Sequence, residues 1–172
     1  MASSSTLPDL RRVVTAHDAE GNAIVESDVG IPSQPMGDYE GLAVGTVWAS
    51  APIPAKDNNL PEDGAKRYVG GNGLVVPNGA GLRYTDLGPG AITPMHRTSS
   101  VDYNVLIQGE LTLIMEDGSE THVKNPGDVV IQKGTNHAWC NPGKNWSRWV
   151  TVIIDAEPAT VKGEALAEVM PA

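Results

Sequence analysis

The sequence has little of several residue types that particular classes of protein require. Its 172 residues include no phenylalanine and one cysteine, Cys140. A single cysteine excludes an intrachain disulfide and a zinc site built from several cysteines. No apolar run approaches the ~20 residues of a membrane-spanning helix, and no basic patch followed by an apolar run marks a secretory signal. We therefore expect a cytoplasmic protein with no membrane partner.

Positive charge is also scarce. There are 12 lysines and arginines against 21 aspartates and glutamates, a net charge of -9. Nucleic acids bind basic surfaces, so we expect no nucleic-acid partner. Glycine and proline are plentiful instead, at 19 and 13 residues. That composition is typical of many short strands joined by tight turns, in a chain long enough for one domain with a sizeable core.

Turn signals divide the chain into four segments. Residues 1–9 are rich in serine, and we expect them to be disordered. In residues 10–80, two β-prone runs around a turn predict a hairpin, and a strand over 41–48 and a proline-containing loop follow it. Residues 81–158 contain short β-prone runs with a turn signal about every ten residues, which predicts an all-β sandwich or barrel. Residues 159–172 contain helix formers and predict a short C-terminal helix.

Two stretches carry the most specific motifs. In the first, Gly90 is followed by five residues, His96, one residue, Thr98, three residues and Asp102, and Gly109 closes it after six more. The second reads Gly127-Asp-Val-Val-Ile-Gln-Lys133-Gly134-Thr-Asn-His137-Ala-Trp139-Cys-Asn141.

These motifs resemble those of the cupin family. The family's first motif is Gly, five residues, His, one residue, His, three or four residues, Glu, six residues, Gly; its second ends with His, three residues, Asn. The first spacing is matched throughout, but Thr98 stands in place of the second His and Asp102 in place of the Glu. The second motif runs one residue short before His137 and has Lys133 in place of a Pro.

The resemblance implies a small single-domain cupin with a degenerate metal-binding motif. The expected fold is all-β: a double-stranded β-helix, or jelly-roll barrel, formed by residues 81–158. Residues 10–80 would pack on it as an N-terminal arm that contains the hairpin.

Alternation along the strand places the polar residues of the first motif on one face, because side chains two apart share a face. Alternation alone also fits an edge strand with a solvated outer face. The resemblance implies that the polar face lines the barrel mouth, where it forms a small-molecule pocket. The apolar face, which includes Tyr103 and Ile107, then points outward and predicts a homodimer. The polar row consists of His96, Thr98, Ser100, Asp102 and Asn104.

His96, Asp102 and His137 are the candidate catalytic residues. Two imidazoles and a carboxylate could hold a divalent metal, with iron, zinc and manganese as the candidates. Thr98 is a poor replacement ligand, so no cofactor is assigned. Without metal, the same residues form an acid–base set, because histidine titrates near neutral pH and Asp102 could orient an imidazole or act as a base. His17 and His122 are expected to be solvated.

The candidate substrate-binding residues lie on the motif strands and on two strands before them. Arg83 could clamp a carboxylate, or it could be a solvated strand residue. Cys140 should lie on the face opposite His137 and pack there. The full candidate set is Thr98, Ser100, Asn104, Trp139, Arg83, Tyr84 and Trp48.

Three functions remain open from the sequence. The first is a lyase or isomerase that dehydrates, decarboxylates or cyclises a carbonyl-bearing or polyketide-like metabolite by acid–base chemistry. The second is an Fe(II)-dependent dioxygenase that uses His96, Asp102 and His137. The third is a non-catalytic protein that binds a small ligand.

Overall fold

The computed structural model describes residues 5–67 and 73–170. Parts of the predicted disordered N-terminus (1–4) and C-terminal segment (171–172) lie outside these ranges. No helix within them is long and apolar enough to cross a membrane. Two 3₁₀ turns cover Asp57–Asn59 and Gly64–Lys66, and the strands are β1 (Leu10–His17), β2 (Ala23–Ile31), β3 (Gln34–Pro35), β4 (Leu42–Ser50), β5 (Ala80–Leu87), β6 (Ser100–Gln108), β7 (Leu111–Met115), β8 (Glu120–Val123), β9 (Val129–Lys133), β10 (His137–Cys140), β11 (Ser147–Asp155), β12 (Thr160–Val161) and β13 (Glu164–Ala165).

Nine of the strands form two facing antiparallel sheets, and the others form two separate hairpins, β1 with β2 and β12 with β13. One sheet has the order β3-β4-β5-β11-β6-β9 and the other the order β10-β7-β8. The segment before β6 runs beside β10, because Ile92 pairs with Cys140 and His96 with His137. The expectation of an all-β jelly roll is confirmed, with two packed sheets rather than one continuous closed barrel. Both sheets contribute to the core, which consists of Leu42, Leu87, Leu106, Leu111, Leu113, Val123, Trp139 and Trp149.

β6 shows how alternation produces two unlike faces. Its buried positions are Ser100, Asp102, Asn104 and Leu106, so the polar row predicted from the first motif faces inward. On the outer face, Tyr103 pairs with Ile131 of the neighbouring β9, and these side chains are 43% and 51% exposed. The homodimer expected from this apolar outer face stays a prediction.

The N-terminal hairpin, β1 with β2, lies against the outer face of β4 and β5. The Tyr84 hydroxyl of β5 donates a hydrogen bond to the carbonyl of Ile31 (2.6 Å), and Arg12 Nη1 donates to the carbonyl of Val47 (3.2 Å). Residues 5–9, within the segment expected to be disordered, are placed: the Pro8 carbonyl accepts a hydrogen bond from Arg148 Nη1 (2.7 Å).

The predicted C-terminal helix is wrong. Thr160–Val161 and Glu164–Ala165 pair as a two-stranded hairpin, and Val169 pairs with Arg97. Lys162 and Gly163 both have positive φ angles, 53° and 87°, which a right-handed helix does not allow. The helix propensity of residues 159–170 is therefore overridden by this tight turn and by backbone pairing to the segment that contains His96.

A buried ion pair joins β5 to β11. Arg148 Nε and Nη2 donate to the two carboxylate oxygens of Asp86 at 2.6 and 2.7 Å, and the Arg148 guanidinium lies 4.6 Å from the centre of the Tyr84 ring. Asp86 is fully buried. The pair links two of the strands that form one wall of the cavity described below.

Removing the Asp86 carboxylate should destabilise the protein strongly. In Asp86→Ala, the Arg148 guanidinium stays buried without its partner, a change that costs about 3–5 kcal/mol of unfolding free energy. The control is Asp28→Ala, which removes the exposed partner of Arg11 and should change stability little. Urea denaturation of both variants and the unchanged protein measures the difference. Equal losses in the two variants would contradict the prediction.

Candidate active site

A cavity of about 100 Å³ lies between the two sheets. β4, β5, β6 and β11 form one wall, and β10 with the segment before β6 forms the other. The predicted residues that line it are Arg83, His96, Thr98, Asp102, Asn104, His137 and Trp139. The residues that sequence analysis missed are Met36, Leu42, Val44, Leu74, Thr85, Thr93, Pro94, Trp149, Thr151, Ile153 and Met170.

His96 and His137 lie directly opposite each other across an antiparallel bridge. Each backbone N–H donates to the carbonyl of the other residue, both at 2.9 Å. Residues paired in this way project their side chains to the same side, and the two imidazole rings lie 4.3 Å apart between centroids. The two histidines, which are 41 positions apart in the sequence, therefore act as one pair.

Backbone carbonyls fix the orientation of both rings. Nδ1 of His96 lies 2.9 Å from the carbonyl oxygen of Pro94, and Nδ1 of His137 lies 2.9 Å from that of Thr135. A carbonyl oxygen only accepts, so each Nδ1 carries the hydrogen and each neutral ring keeps a lone pair on Nε2. The sequence suggested that Asp102 could orient an imidazole, but the backbone carbonyls have that role here. No described hydrogen bond joins Asp102 to either imidazole.

His137 is held in its neutral form. Burial is the main reason that its pKa falls to about 4, and the nearby charge of His96 lowers it further, against a smaller opposing effect of the Thr135 carbonyl. At neutral pH His137 is therefore a proton acceptor. Because the rings are so close, a proton on one disfavours a proton on the other.

Asp102 ends a chain of buried hydroxyl groups. The Ser100 hydroxyl donates to Asp102 Oδ1 at 2.7 Å, and Thr98 Oγ1 lies 2.8 Å from Ser100 Oγ. Since the single hydrogen of Ser100 goes to Asp102, Thr98 is the donor in the second contact. Burial raises the pKa of Asp102, and the Ser100 hydrogen bond, His96 and Arg83 oppose that rise.

This hydroxyl chain uses the two positions at which the sequence departs from the cupin metal motif. Thr98 and Asp102 stand where the family has its second His and its Glu, and here they are linked through Ser100. Across the described ranges, no three His, Cys, Asp or Glu side chains are grouped closely enough to hold a metal ion. The set His96, Asp102 and His137 therefore does not fit a resident metal.

Asn104 lines the cavity, but its amide is engaged in the wall. Its Oδ1 accepts a hydrogen bond from the Thr151 hydroxyl at 2.8 Å, and its Nδ2 donates to Gln132 Oε1 at 3.3 Å. These contacts join β11, β6 and β9 and stabilise the wall opposite the histidines.

Arg83 borders the cavity, whereas Tyr84 does not. The two are consecutive in β5, so they project to opposite faces. Tyr84 is buried beneath the N-terminal hairpin, with its hydroxyl on Ile31. The expected placement of Tyr84 at the cavity is wrong, and strand alternation alone could have shown that it does not share a face with Arg83.

Trp48 lies outside the cavity because of a bulge in β4. Leu42 and Val44 face inward, but the register shifts between Thr46 and Trp48, and Trp48 then pairs with the outward-facing Leu82. The indole Nε1 donates to Asp57 Oδ2 at 2.7 Å. The expected placement of Trp48 at the cavity is wrong, because the one inserted residue reverses which face the following side chains occupy.

Strand alternation could have identified some of the lining residues that sequence analysis missed, but not others. Thr85 shares a face with Arg83, and Trp149, Thr151 and Ile153 alternate along β11. Their period of two, together with one known inward residue, would have identified them. Met36 and Met170 lie outside the long strands, where no such period exists.

Comparisons with known proteins give relatives across nearly the full chain. No family model matches. The chain is 33% identical to "Oryzines biosynthesis cluster protein J" of Aspergillus oryzae, over 94% of this chain and 91% of that protein. It is 32% identical to "Phomopsin biosynthesis cluster protein D" of Diaporthe leptostromiformis, over 92% and 87%. It is also 32% identical to "Cupin-domain-containing oxidoreductase virC" of Hypocrea virens, over 90% and 81%.

Among solved structures, the chain is similar to the polyketide cyclase RemF from Streptomyces resistomycificus. The TM-score is 0.51 at 12% sequence identity, over 75% of this chain and 77% of that one. At that identity the likeness supports the fold alone.

The low pKa of His137 predicts a specific dependence of stability on pH. Above pH 6.5, His137 is neutral in the folded and unfolded chains. Between pH 6.5 and about 4, only the unfolded chain takes up the proton, so stability falls as the pH falls. The loss by pH 4.5 should be on the order of 2–3 kcal/mol. Urea denaturation at pH 7 and pH 4.5 measures it.

Two variants separate this effect from other titrating groups. His137→Gln should remove that part of the pH dependence, whereas His17→Gln, which changes an exposed histidine of β1, should keep it. An unchanged pH dependence in His137→Gln would show that this imidazole is not buried in its neutral form.

Proposed function

Because this chain belongs to the family of cupin-domain proteins, with relatives named for biosynthesis clusters, we propose that it is a secondary-metabolism enzyme that transfers protons on a carbonyl-bearing substrate. The reaction class is that of a lyase or isomerase: dehydration, decarboxylation or cyclisation. The observation that carries the proposal is the pair His96 and His137, in which each Nδ1 is bound to a backbone carbonyl and Nε2 of the neutral His137 is left as an acceptor.

The histidine pair supplies the base. A carbon-bound proton next to the substrate carbonyl passes to Nε2 of one imidazole, and the electrons of the C–H bond move into the carbonyl to form an enolate. The negative charge of the enolate favours the imidazolium that forms, which offsets the burial that keeps His137 neutral beforehand. A positioned base of this kind contributes about 10²–10⁴-fold to rate.

The proton then returns to a different atom. Return to carbon gives an isomerase, and return to a departing hydroxyl group gives water and a new double bond, which is a dehydration. Asp102, with its raised pKa, is the second proton carrier. The apolar side chains of Trp139, Trp149 and Leu42 line the same cavity and limit the access of water to the reactive enolate.

Hydrogen–deuterium exchange tests this function without the natural substrate. Acetophenone and 1-tetralone exchange the protons beside their carbonyl slowly in D₂O at neutral pD, and the protein should accelerate that exchange. His137→Ala and Asp102→Asn should lower the accelerated rate, by about 10²-fold or more for His137→Ala. Proton NMR follows the loss of the exchanging signal.

His122→Ala is the matched control, since His122 is an exposed histidine of β8 outside the cavity. It should leave the rate unchanged. Equal rates in the protein and in His137→Ala would refute the role of the histidine pair. Ketones that bind without exchange in any variant would favour the non-catalytic binding protein.

A second candidate function is an oxidation, favoured by the printed name of the relative virC as an oxidoreductase. His96 and His137 supply only two protein ligands for a metal, so such a reaction would need the substrate or water to complete the coordination. The first proposal predicts that protein incubated with Fe(II) retains well under one equivalent of iron after desalting. Elemental analysis measures this, and an oxygen electrode measures turnover. One equivalent of iron with ketone-dependent oxygen uptake would establish the oxidation instead.

A further inference from the structure

Arg83 is the one arginine of this chain without a carboxylate partner among the described residues. Every other arginine has one within hydrogen-bond distance: Arg11 with Asp28, Arg12 with Asp63, Arg67 with Asp57, Arg97 with Glu116 and Arg148 with Asp86. Arg83 makes no hydrogen bond or ion pair in these ranges, and it borders the cavity.

The surroundings of Arg83 make this arrangement unusual. Desolvation by burial is the main influence on its pKa, which falls, and the more distant charge of Asp102 only partly offsets this. Asp102 is itself bound by Ser100. Arg83 is half-buried, and charged side chains are seldom withdrawn from water unless they are paired. An isolated guanidinium beside a cavity therefore indicates that its partner is a ligand group.

Within the part of the chain that the structure describes, Arg83 is also the only lysine or arginine that lines the cavity. In the register of the sheet it lies between Thr46 of β4 and Thr151 of β11, which places it on the wall opposite the histidine pair. Because the protein carries a net charge of -9, its overall field repels anions. Selection of an anion must then come from this local charge.

We propose that Arg83 binds a carboxylate group of the substrate, so that the substrate is a carboxylate-bearing carbonyl compound. This inference deepens the proposed function and rests on it. The planar guanidinium offers two parallel N–H donors that match the two oxygens of a carboxylate. The apolar part of the molecule then packs against Trp139, Trp149 and Val44, between Arg83 and the imidazoles of the opposite wall.

Benzoate and benzamide test the proposal, because they share a shape and differ in charge. Trp139 and Trp149 line the cavity, so quenching of tryptophan fluorescence reports binding, and calorimetry checks the affinities. The protein should prefer benzoate by about tenfold to a hundredfold, as expected for a charge-assisted hydrogen-bonded pair. Arg83→Gln should abolish the preference, because it lowers the affinity for benzoate far more than that for benzamide, and Arg83→Lys should keep part of it.

Arg11→Gln is the control, since it removes an exposed arginine of the hairpin and should leave the preference intact. Retained binding of benzamide also shows that Arg83→Gln is folded. Equal affinity for the two probes in the unchanged protein, or a preference that survives Arg83→Gln, would overturn the proposal.

The two proposals fail separately. Deuterium exchange into neutral ketones without a preference for benzoate would leave proton transfer standing and remove the carboxylate anchor. A preference for benzoate that depends on Arg83, without exchange in any ketone, would leave an anion-binding pocket and remove the enzyme.

Discussion

A row of polar side chains buried inside an otherwise apolar sandwich is costly unless each polar group has a partner. That constraint organises the interior of this protein. Asn104 is satisfied by Thr151 and Gln132, and Asp102 is satisfied by Ser100. The imidazoles and Arg83 are satisfied only in part, because Nε2 of each histidine and the guanidinium of Arg83 have no described partner. The polar side chains of the cavity thus fall into two groups: those bound to other residues of the wall, and those with a polar atom that has no described partner.

The same constraint accounts for the changed metal motif. The hydroxyl of Thr98 and the carboxyl of Asp102 are both buried, and each would lack a hydrogen-bond partner if the other residues of the chain were absent. With Ser100 between them on the same face of the strand, they satisfy one another. Two departures from the cupin pattern that look independent in the sequence are therefore one structural feature. In the proposed function, the first proton acceptor is therefore a histidine outside that chain, and Asp102 at the end of the chain is the second proton carrier.

The sequence predicted the fold and the inward direction of the polar row, through the cupin resemblance, because strand alternation and motif spacing are local properties. It placed His96, Asp102 and His137 at one cavity for the same reason, and it left Arg83 open between a carboxylate clamp and a solvated residue. It failed where a single backbone event changed the outcome: the bulge that turns Trp48 outward and the turn at Lys162 that replaces a helix. Such events depend on tertiary pairing, which residue propensities do not contain.

Charge is distributed within the cavity in a way that suits formation of an enolate. Asp102 of β6 and Arg83 of β5 lie on the same wall, with β11 between their strands, and each influences the pKa of the other. His137 on the opposite wall is neutral before the proposed reaction, so the cavity gains one positive charge when its imidazole accepts a proton. The negative charge then lies on the substrate, between this new cation and Arg83. Separation of charge inside a low-dielectric cavity is unfavourable. The fixed charge of Arg83 on one wall and the imidazolium that forms on the facing wall offset that cost.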